Sequence, residues 1–240
     1  MHTCFVQELA VGAVALAEEE ALHVVRVLRT TVGDVIRLVD GEGRWAEGTV
    51  IGTDRKSCQV RIDQVHCSSD TRPVGLILVV APTKSLDRFE WLLEKGTELG
   101  VEAFVPIWTE HSERRIEKPE RWEKVLVAAT KQCHRLWKPQ LHPAVPLTHM
   151  WSAHPWLLDC RGAVAHCMSS MADIPSRVAW TSWQSSHSRA WLAIGPEGDF
   201  SEDEVRTMVL RGATPVHLGA FRLRTETAGM AAAAQFGQFS

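Results

Sequence analysis

The first part of the chain alternates apolar and polar residues with the period of short β-strands. A helical stretch, Glu18–Arg29, comes first, with one apolar face formed by Ala21, Leu22, Val25 and Leu28. The strand-like runs that follow are Val35–Val39, Arg44–Ile51 and Cys58–Val65. Asp40–Gly43 has the residues of a hairpin turn and joins the first two runs. The pattern predicts a compact β-barrel over residues 1–72.

Beyond a polar, turn-like segment at Asp70–Pro73, the pattern changes to alternating strands and helices. Val74–Ala81 is a continuous apolar run, as expected of a strand buried on both faces. The next predicted elements are a helix from Leu86, a strand at Ala103–Ile107, a helix from Pro119 and a strand at Trp156–Asp159. Residues 161–189 show no clear period, and we expect a short helix or loop there. The alternation predicts an α/β domain with a mostly parallel sheet over residues 73–240.

The stretch Trp191–Gln235 combines two apolar runs with two glycine-containing loops. Trp191–Ile194 leads into Gly195–Gly198, and Pro215–Leu218 leads into a loop that ends at a helical pattern from Thr225. Loops at the carboxyl ends of buried strands are where α/β sheets bind ligands. Both loops lack the spacings of phosphate-binding and dinucleotide-binding motifs, which argues against ATP and NAD. The residues alone leave two interpretations open: a ligand-binding site, or tight turns beside a buried helix.

Composition narrows the class of protein. The 240-residue chain is 45% hydrophobic and has a net charge of −3, so it lacks a global basic signature, although a local patch is enough to contact phosphates. Apolar runs fall short of the roughly 20 residues that span a membrane, and the N-terminus lacks signal-peptide features, so we expect a cytoplasmic protein without a membrane partner. The six cysteines are expected to be reduced. Cys160, His166 and Cys167 lack the paired spacings of zinc sites, and we expect no metal.

Five segments, in order along nearly the whole chain, resemble one known family. Ile194–Glu204 reads IGPEGDFSEDE, and Leu218–Ala228 reads LGAFRLRTETA. The upstream matches are Lys95–Val101 (KGTELGV), Gln132–Arg135 (QCHR), and His23, Val27, Leu28, Arg29, Gly33 and Asp34. Together they resemble the signature of the ribosomal RNA small-subunit methyltransferase E family, whose members methylate N3 of a uridine in 16S ribosomal RNA.

The resemblance implies a fold and a cofactor. Residues 1–72 would form a PUA-like RNA-binding barrel, and residues 73–240 a SPOUT-type α/β domain whose C-terminal segment is threaded into a trefoil knot. Family members act as homodimers and hold S-adenosylmethionine in the knot. By the same resemblance, the cofactor-binding residues would be Gly195, Pro196, Glu197, Gly198, Leu218, Gly219, Leu223, Arg224, Thr225, Thr227 and Ala228.

Methylation at N3 of uridine requires that the N3 proton leave before or during attack. A base can take this proton, or a cation can stabilise the resulting anion. Arg224 is the first candidate for the cation, and Glu197 and Glu226 are candidate bases. Each glutamate also has a structural interpretation: Glu197 would fix its own loop, and Glu226 would lie in the first turn of a helix, where an acid favours the helix dipole.

The N3 atom lies on the Watson–Crick edge of uridine, so the target base has to be unpaired or flipped out. Contacts to phosphates would hold the surrounding RNA. The candidates are Arg26, Arg29, Lys84, Arg88 and Arg135. The alternative for the basic residues of the N-terminal part is a solvated surface of mixed charge.

The chain departs from the family pattern in two places. Asp199 stands where the family usually has a second glycine, and Phe221 and Arg222 stand where it usually has an arginine followed by an aliphatic residue. The leading hypothesis is an S-adenosylmethionine-dependent methyltransferase that makes 3-methyluridine in 16S ribosomal RNA. The alternatives are a SPOUT methyltransferase of another RNA, and a non-catalytic RNA-binding or ribosome-assembly factor with the same fold.

Overall fold

The structure, a computed structural model, describes residues 2–68, 72, 74–168, 171, 173–184, 186 and 188–236. The chain forms two compact units. The first comprises Met1–Pro73 with Val127–Lys138, and the second comprises Val74–Leu126 with Pro139–Ser240. The boundary predicted at Asp70–Pro73 lies outside the described residues, apart from Arg72.

A mixed β-sheet forms the first unit. Its strands are β1 (Thr3–Phe5), β2 (Gly12–Ala15), β3 (Val35–Val39), β4 (Arg44–Asp54), β5 (Ser57–Ile62) and β6 (His66–Cys67). They lie in the order β1-β3-β4-β5-β2 with β6 on β4; β1 is parallel to β3, and the other pairs are antiparallel. In the predicted hairpin turn, the Asp40 carboxylate accepts hydrogen bonds from the N–H groups of Glu42 at 2.8 Å and Arg44 at 3.1 Å. The three predicted runs are therefore confirmed as strands.

The predicted helix at Glu18–Arg29 is interrupted. It consists of α1 (Glu18–Leu22) followed by a π-helical turn, His23–Val27, in which the Leu28 N–H bonds the His23 carbonyl at 3.1 Å. A π turn is wider than an α turn. The inward face therefore contains Val24, which is fully buried, while the predicted Val25 and Leu28 are half-buried.

A parallel β-sheet organises the second unit. Its strands are β7 (Leu76–Val80), β8 (Ala103–Trp108), β9 (Gln140–Leu141), β10 (Val145–Pro146), β11 (Arg161–Ala165), β12 (Val178–Ala179), β13 (Ala190–Ile194) and β14 (Thr214–His217). Their order is β10-β8-β7-β13-β11-β14-β12, with β9 on β8, and each recorded pair is parallel. Every residue of β7 is buried, and its side chains alternate between two cores. The prediction of an α/β fold with a mostly parallel sheet is confirmed.

Helices cover this sheet. They are α2 (Leu86–Glu98), α3 (Pro119–Gln132), α4 (Met150–Ala153), α5 (Trp180–Gln184), α6 (Glu202–Leu210) and α7 (Thr225–Phe236). The small residues of α7 permit close packing, since a Cβ at Gly229 would lie 2.6 Å from Cδ1 of Leu92 in α2. Within the described residues, no helix is both long and apolar enough to cross a membrane.

The strand predicted at Trp156–Asp159 is wrong, because Pro155–Asp159 forms a 3₁₀ helix. The strand β11 begins after it, in the stretch 161–189 where the sequence shows no period. Its Gly162 lies against the indole ring of Trp191 in β13, and a Cβ there would overlap that ring. At this position the apolar side chain that fills the space belongs to β13 and not to β11. The sequence of β11 therefore has only a weak hydrophobic pattern. Residues 161–189 also contain β12 and α5.

Candidate functional site

Three loops of the second unit surround a cavity of about 280 Å³. Strand β11 lies between β13 and β14, and Ala165 is in register with both Ile194 and Val216. The loops after the three strands therefore start at the same level of the sheet. The predicted cofactor residues that line the cavity are Gly195, Pro196, Glu197, Leu218, Gly219, Leu223, Arg224, Thr225 and Ala228. Gly198 and Thr227 are not among its lining residues.

The loop after β13 is tied to the start of α7. The Thr225 hydroxyl donates a hydrogen bond to the Gly195 carbonyl at 2.8 Å. A side chain at Gly195 would meet the backbone, since its Cβ would lie 3.0 Å from the Phe200 nitrogen. Two reciprocal bonds then start α6: the Ser201 N–H donates to the Glu204 carboxylate at 2.9 Å, and the Glu204 N–H donates to the Ser201 hydroxyl at 3.4 Å. These contacts fix both ends of the loop.

Asp199 adopts the backbone conformation that its glycine counterpart would favour. Its φ is +65°, in the left-handed region, which aspartate tolerates better than most residues. Its carboxylate accepts hydrogen bonds from the Cys167 N–H at 2.7 Å and from the Phe200 N–H at 2.8 Å. Its carbonyl lies 3.1 Å from Nδ1 of His111, and a Cβ at Gly198 would lie 3.0 Å from the Cβ of the same histidine. This departure from the family pattern thus joins neighbouring loops.

Both residues of the second departure, Phe221 and Arg222, are exposed and line the cavity. Phe221 is 86% exposed. Arg222 lines the cavity and donates a hydrogen bond from Nη2 to the Glu197 carbonyl at 3.1 Å. The arginine therefore connects the loop after β14 with the loop after β13.

The three candidate catalytic residues have different surroundings. Arg224 is exposed at the cavity, and its guanidinium has no hydrogen bond or ion pair within the described residues. The Glu197 carboxylate accepts a hydrogen bond from the Lys84 N–H at 3.0 Å. Glu226 is 7% exposed, does not line the cavity, and lies 3.8 Å from Nε of Arg88. Arg224 and Glu197 thus both present a charged side chain at the cavity, and the Glu197 carboxylate is the one held by a hydrogen bond.

The predicted phosphate contacts divide between the units: Arg26, Arg29 and Arg135 belong to the first, and Lys84 and Arg88 to the second. Arg26 and Arg29 are exposed, and Arg29 follows the π-helical turn with a φ of +53°. Arg135 is half-buried, and burial lowers the pKa of its guanidinium. The Lys84 ammonium forms an ion pair with Glu113 at 2.6 Å.

Sequence reasoning misses the contribution of the loop after β11. His166 and Arg177 line the cavity, and the Arg177 guanidinium donates a hydrogen bond to the His166 carbonyl at 2.6 Å. Both residues lie in the stretch without hydrophobic period, 161–189. The available signal is the short run Ala163–Ala165 followed by a polar residue.

No metal site is formed by the part of the chain that the structure describes: no three of its His, Cys, Asp and Glu side chains are grouped for one. Cys160, His166 and Cys167 therefore do not form a metal cluster together. The six cysteines are free thiols.

Comparison with known proteins gives consistent results. The family model of the RNA methyltransferase domain matches residues 70–237, and that of the RNA methyltransferase PUA domain matches residues 16–63. The ribosomal RNA small subunit methyltransferase E of Bacillus subtilis is 28% identical over 224 residues, which cover 89% of this chain and 85% of that protein.

Two solved structures are similar over nearly their full length. A protein of Porphyromonas gingivalis described as a probable rRNA-methyltransferase has a TM-score of 0.80 and 36% identity, covering 91% of this chain and 90% of that one. The ribosomal RNA small subunit methyltransferase E of Neisseria gonorrhoeae, bound to S-adenosyl methionine, has a TM-score of 0.79 and 26% identity, covering 98% and 95%. The match of the family model over more than half of the chain, together with these relatives, shows that the chain belongs to the RNA methyltransferase family represented by ribosomal RNA small subunit methyltransferase E.

Proposed function

We propose that this protein transfers the methyl group of S-adenosylmethionine to N3 of one uridine in 16S ribosomal RNA. One observation carries the proposal: a cavity at the carboxyl ends of three adjacent parallel strands is lined by residues of the two segments, Ile194–Glu204 and Leu218–Ala228, on which the family resemblance rests. A relative that aligns over nearly the whole chain was crystallised with S-adenosyl methionine.

The lining residues suit this cofactor. Val216, Leu218 and Leu223 offer an apolar slot for an adenine ring, and the backbone of Gly195–Glu197 offers hydrogen bonds to its edge. The small side chain of Ala228 leaves room beside them. We assign cofactor contact to the lining residues Gly195, Pro196, Glu197, Leu218, Gly219, Leu223, Arg224, Thr225 and Ala228. Gly198 and Thr227, which lie outside the lining, would act by shaping the loop and α7.

The cofactor supplies a methyl group already activated by its sulfonium, so the protein has to align the acceptor and manage its proton. Arg224 is the residue to which we assign stabilisation of the uridine anion, because its cation is at the cavity and has no partner in the described part of the chain. The bond from the Lys84 N–H supports a positioning role for Glu197. The burial of Glu226 beside Arg88 supports a similar role at the start of α7. The two glutamates remain the candidate bases.

The finer features of the fold form part of the proposal. By the family resemblance, the C-terminal segment, whose helix α7 packs on α2, would be threaded into a trefoil knot. The mixed sheet of the first unit would close into a PUA-like barrel, in line with the family-model match to residues 16–63. By the family resemblance, two copies of the chain would form a homodimer, acting in the cytoplasm on the small ribosomal subunit.

Recognition of the RNA would belong largely to the first unit. Arg26 and Arg29 are exposed there and are assigned to phosphate contacts, with Lys84, Arg88 and Arg135 as further candidates. Because N3 is on the pairing edge, the target uridine would enter the cavity unpaired. Phosphate contacts would then hold the flanking nucleotides while the base is presented to the cofactor.

Nucleoside mass spectrometry tests the proposal. 16S ribosomal RNA from cells without the gene is expected to lose 3-methyluridine, and purified protein with S-adenosylmethionine is expected to restore it on isolated small subunits. Unchanged 3-methyluridine in the 16S ribosomal RNA of the deletion strain would overturn the proposed substrate. Loss of a methylated nucleoside from another RNA would instead establish that the protein is a SPOUT methyltransferase of that RNA. Restoration of 3-methyluridine in the deletion strain by an Arg224 variant that is inactive when purified would establish the non-catalytic alternative.

A further inference from the structure

His166 lies at the carboxyl end of β11, the middle one of the three strands whose loops surround the cavity. It is the first residue after β11, and the preceding Ala165 is in register with Ile194 on one side and Val216 on the other. The imidazole therefore lies between the two glycine-containing loops. It lines the cavity and is 7% exposed.

The imidazole of His166 is held in place, yet both of its nitrogens are buried without a hydrogen-bond partner among the described residues. The backbone on either side is fixed: the His166 carbonyl accepts a bond from Arg177 at 2.6 Å, and the Cys167 N–H donates to Asp199 at 2.7 Å. Buried polar side-chain atoms in folded proteins are nearly always paired, and leaving them unpaired carries a free-energy cost. A ligand in the cavity would supply a partner that the described residues do not.

The charge state of His166 defines what it can bind. Burial lowers its pKa, the nearby Arg177 lowers it further, and Asp199 opposes this in part. The ring is thus neutral near pH 7 and has one nitrogen that donates and one that accepts. A hydroxyl group or the edge of a nucleobase has matching chemistry. A neutral ring also avoids repulsion of a cationic sulfonium nearby.

We infer that His166 is a ligand-binding residue, which hydrogen-bonds the nucleoside part of the methyl donor through a ring nitrogen. The inference rests on the proposed function, since it names a residue of the same cavity. It assigns to the loop after β11 a direct part in binding, beside the loops after β13 and β14. No reaction step is required of the histidine.

Calorimetric titration with S-adenosylhomocysteine, which has the nucleoside but no sulfonium, tests the inference without turnover. His166→Leu removes both nitrogens and is expected to weaken binding about tenfold, equivalent to about 1.4 kcal/mol. His166→Gln keeps one donor and one acceptor and is expected to remain within about threefold of the wild type. The matched control is His149→Leu at an exposed histidine outside the cavity lining, where affinity is expected to be unchanged.

Thermal unfolding of the ligand-free proteins separates binding from a structural role. His166→Leu is expected to unfold at the wild-type temperature or above it, because it removes two unpaired buried nitrogens. The inference would be overturned if His166→Leu bound S-adenosylhomocysteine with wild-type affinity. It would also be overturned if both His166 variants unfolded at a lower temperature than the wild type. If the wild type itself did not bind S-adenosylhomocysteine, the proposed function would fail first. Binding by the wild type and by His166→Leu alike would remove the histidine's role alone.

Discussion

The carboxylate of Asp199 accepts a hydrogen bond from the Cys167 N–H at 2.7 Å, which joins the loop after β13 to the loop after β11. The same residue has a φ of +65°. Where the family pattern has a glycine, this chain thus combines a left-handed backbone with a side-chain hydrogen bond that glycine cannot make. Two opposing effects on stability follow from this arrangement.

Substitution of Asp199 separates these effects. Asp199→Ala removes the carboxylate's hydrogen bonds to Cys167 and Phe200 and places a less tolerant residue in the left-handed region, so the free energy of unfolding is expected to fall by about 2 kcal/mol. Asp199→Gly removes the same two hydrogen bonds but relieves the backbone, so its free energy of unfolding is expected to stay within about 1 kcal/mol of the wild type. Denaturant unfolding measures both variants. Equal stability of the alanine and glycine variants would show that the backbone conformation at residue 199 is not strained.

Arg224→Ala is expected to lower the single-turnover rate of methyl transfer by about 10²- to 10³-fold, as removal of one charge-stabilising donor does in other enzymes. The unfolding temperature is expected to stay unchanged, because the side chain is exposed and unpaired within the described residues. Arg55→Ala, at an exposed arginine of the first unit, serves as the control. Wild-type turnover by Arg224→Ala would exclude this residue as the anion stabiliser.

Charge reversal at Arg26 and Arg29 is expected to weaken RNA binding by about tenfold or more at low salt. Removal of each phosphate interaction is expected to reduce the slope of log affinity against log salt by about 0.7 to 0.9. The matched control is Arg114→Glu with Lys118→Glu, at two exposed residues of the second unit with the same change in charge. Binding isotherms at several salt concentrations measure the slope. An unaltered slope in the Arg26/Arg29 variant would place the phosphate-binding residues elsewhere.

Stability is expected to depend on pH through His142. Burial, with a contribution from His154, lowers the pKa of His142 from 6.5 to about 4. Between these values the unfolded chain binds a proton that the folded protein does not, so the free energy of unfolding falls as pH falls from 6.5 to about 4. His142→Phe keeps a ring against Trp156, whose ring centroid lies 5.1 Å away, and is expected to flatten this dependence.

The pH test compares denaturant midpoints at several values between about pH 7 and about pH 4.5, a range that spans most of the titration of the unfolded histidine. Some dependence is expected to remain in His142→Phe, since burial also lowers the pKa of His154. His149→Phe, at an exposed position, is the control and is expected to keep the wild-type curve. A steeper fall in His142→Phe than in the wild type would contradict the assignment.

The elements that can be predicted from sequence are those whose signal is local. The all-apolar β7 and the alternating β5 each contain their own pattern, and the structure has both strands. The strand β11 lacks such a pattern, because Gly162 leaves its space to the ring of Trp191, a residue from another strand. The buried face of the helix after Ala17 differs from the predicted one because a π turn cannot be read from apolar spacing.

The candidate site, like the fold, can be predicted from sequence only where the signal is local. The loops after β13 and β14 carry glycine and family motifs, and residues of both line the cavity. His166 has no motif around it, and its position depends on the register of β11 with two strands that come later in the chain. That register is set by packing between distant segments, which the sequence does not display.

The order β13-β11-β14 has a consequence for synthesis of the protein. The middle strand is made first, and it stays without neighbours on either side until Ala190–Ile194 and Thr214–His217 have left the ribosome. The wall formed by α7 comes later still, with Thr225–Phe236. A nascent chain therefore lacks a complete cavity until Thr225–Phe236 has been translated, so the capacity to bind a ligand there reports on synthesis of that segment.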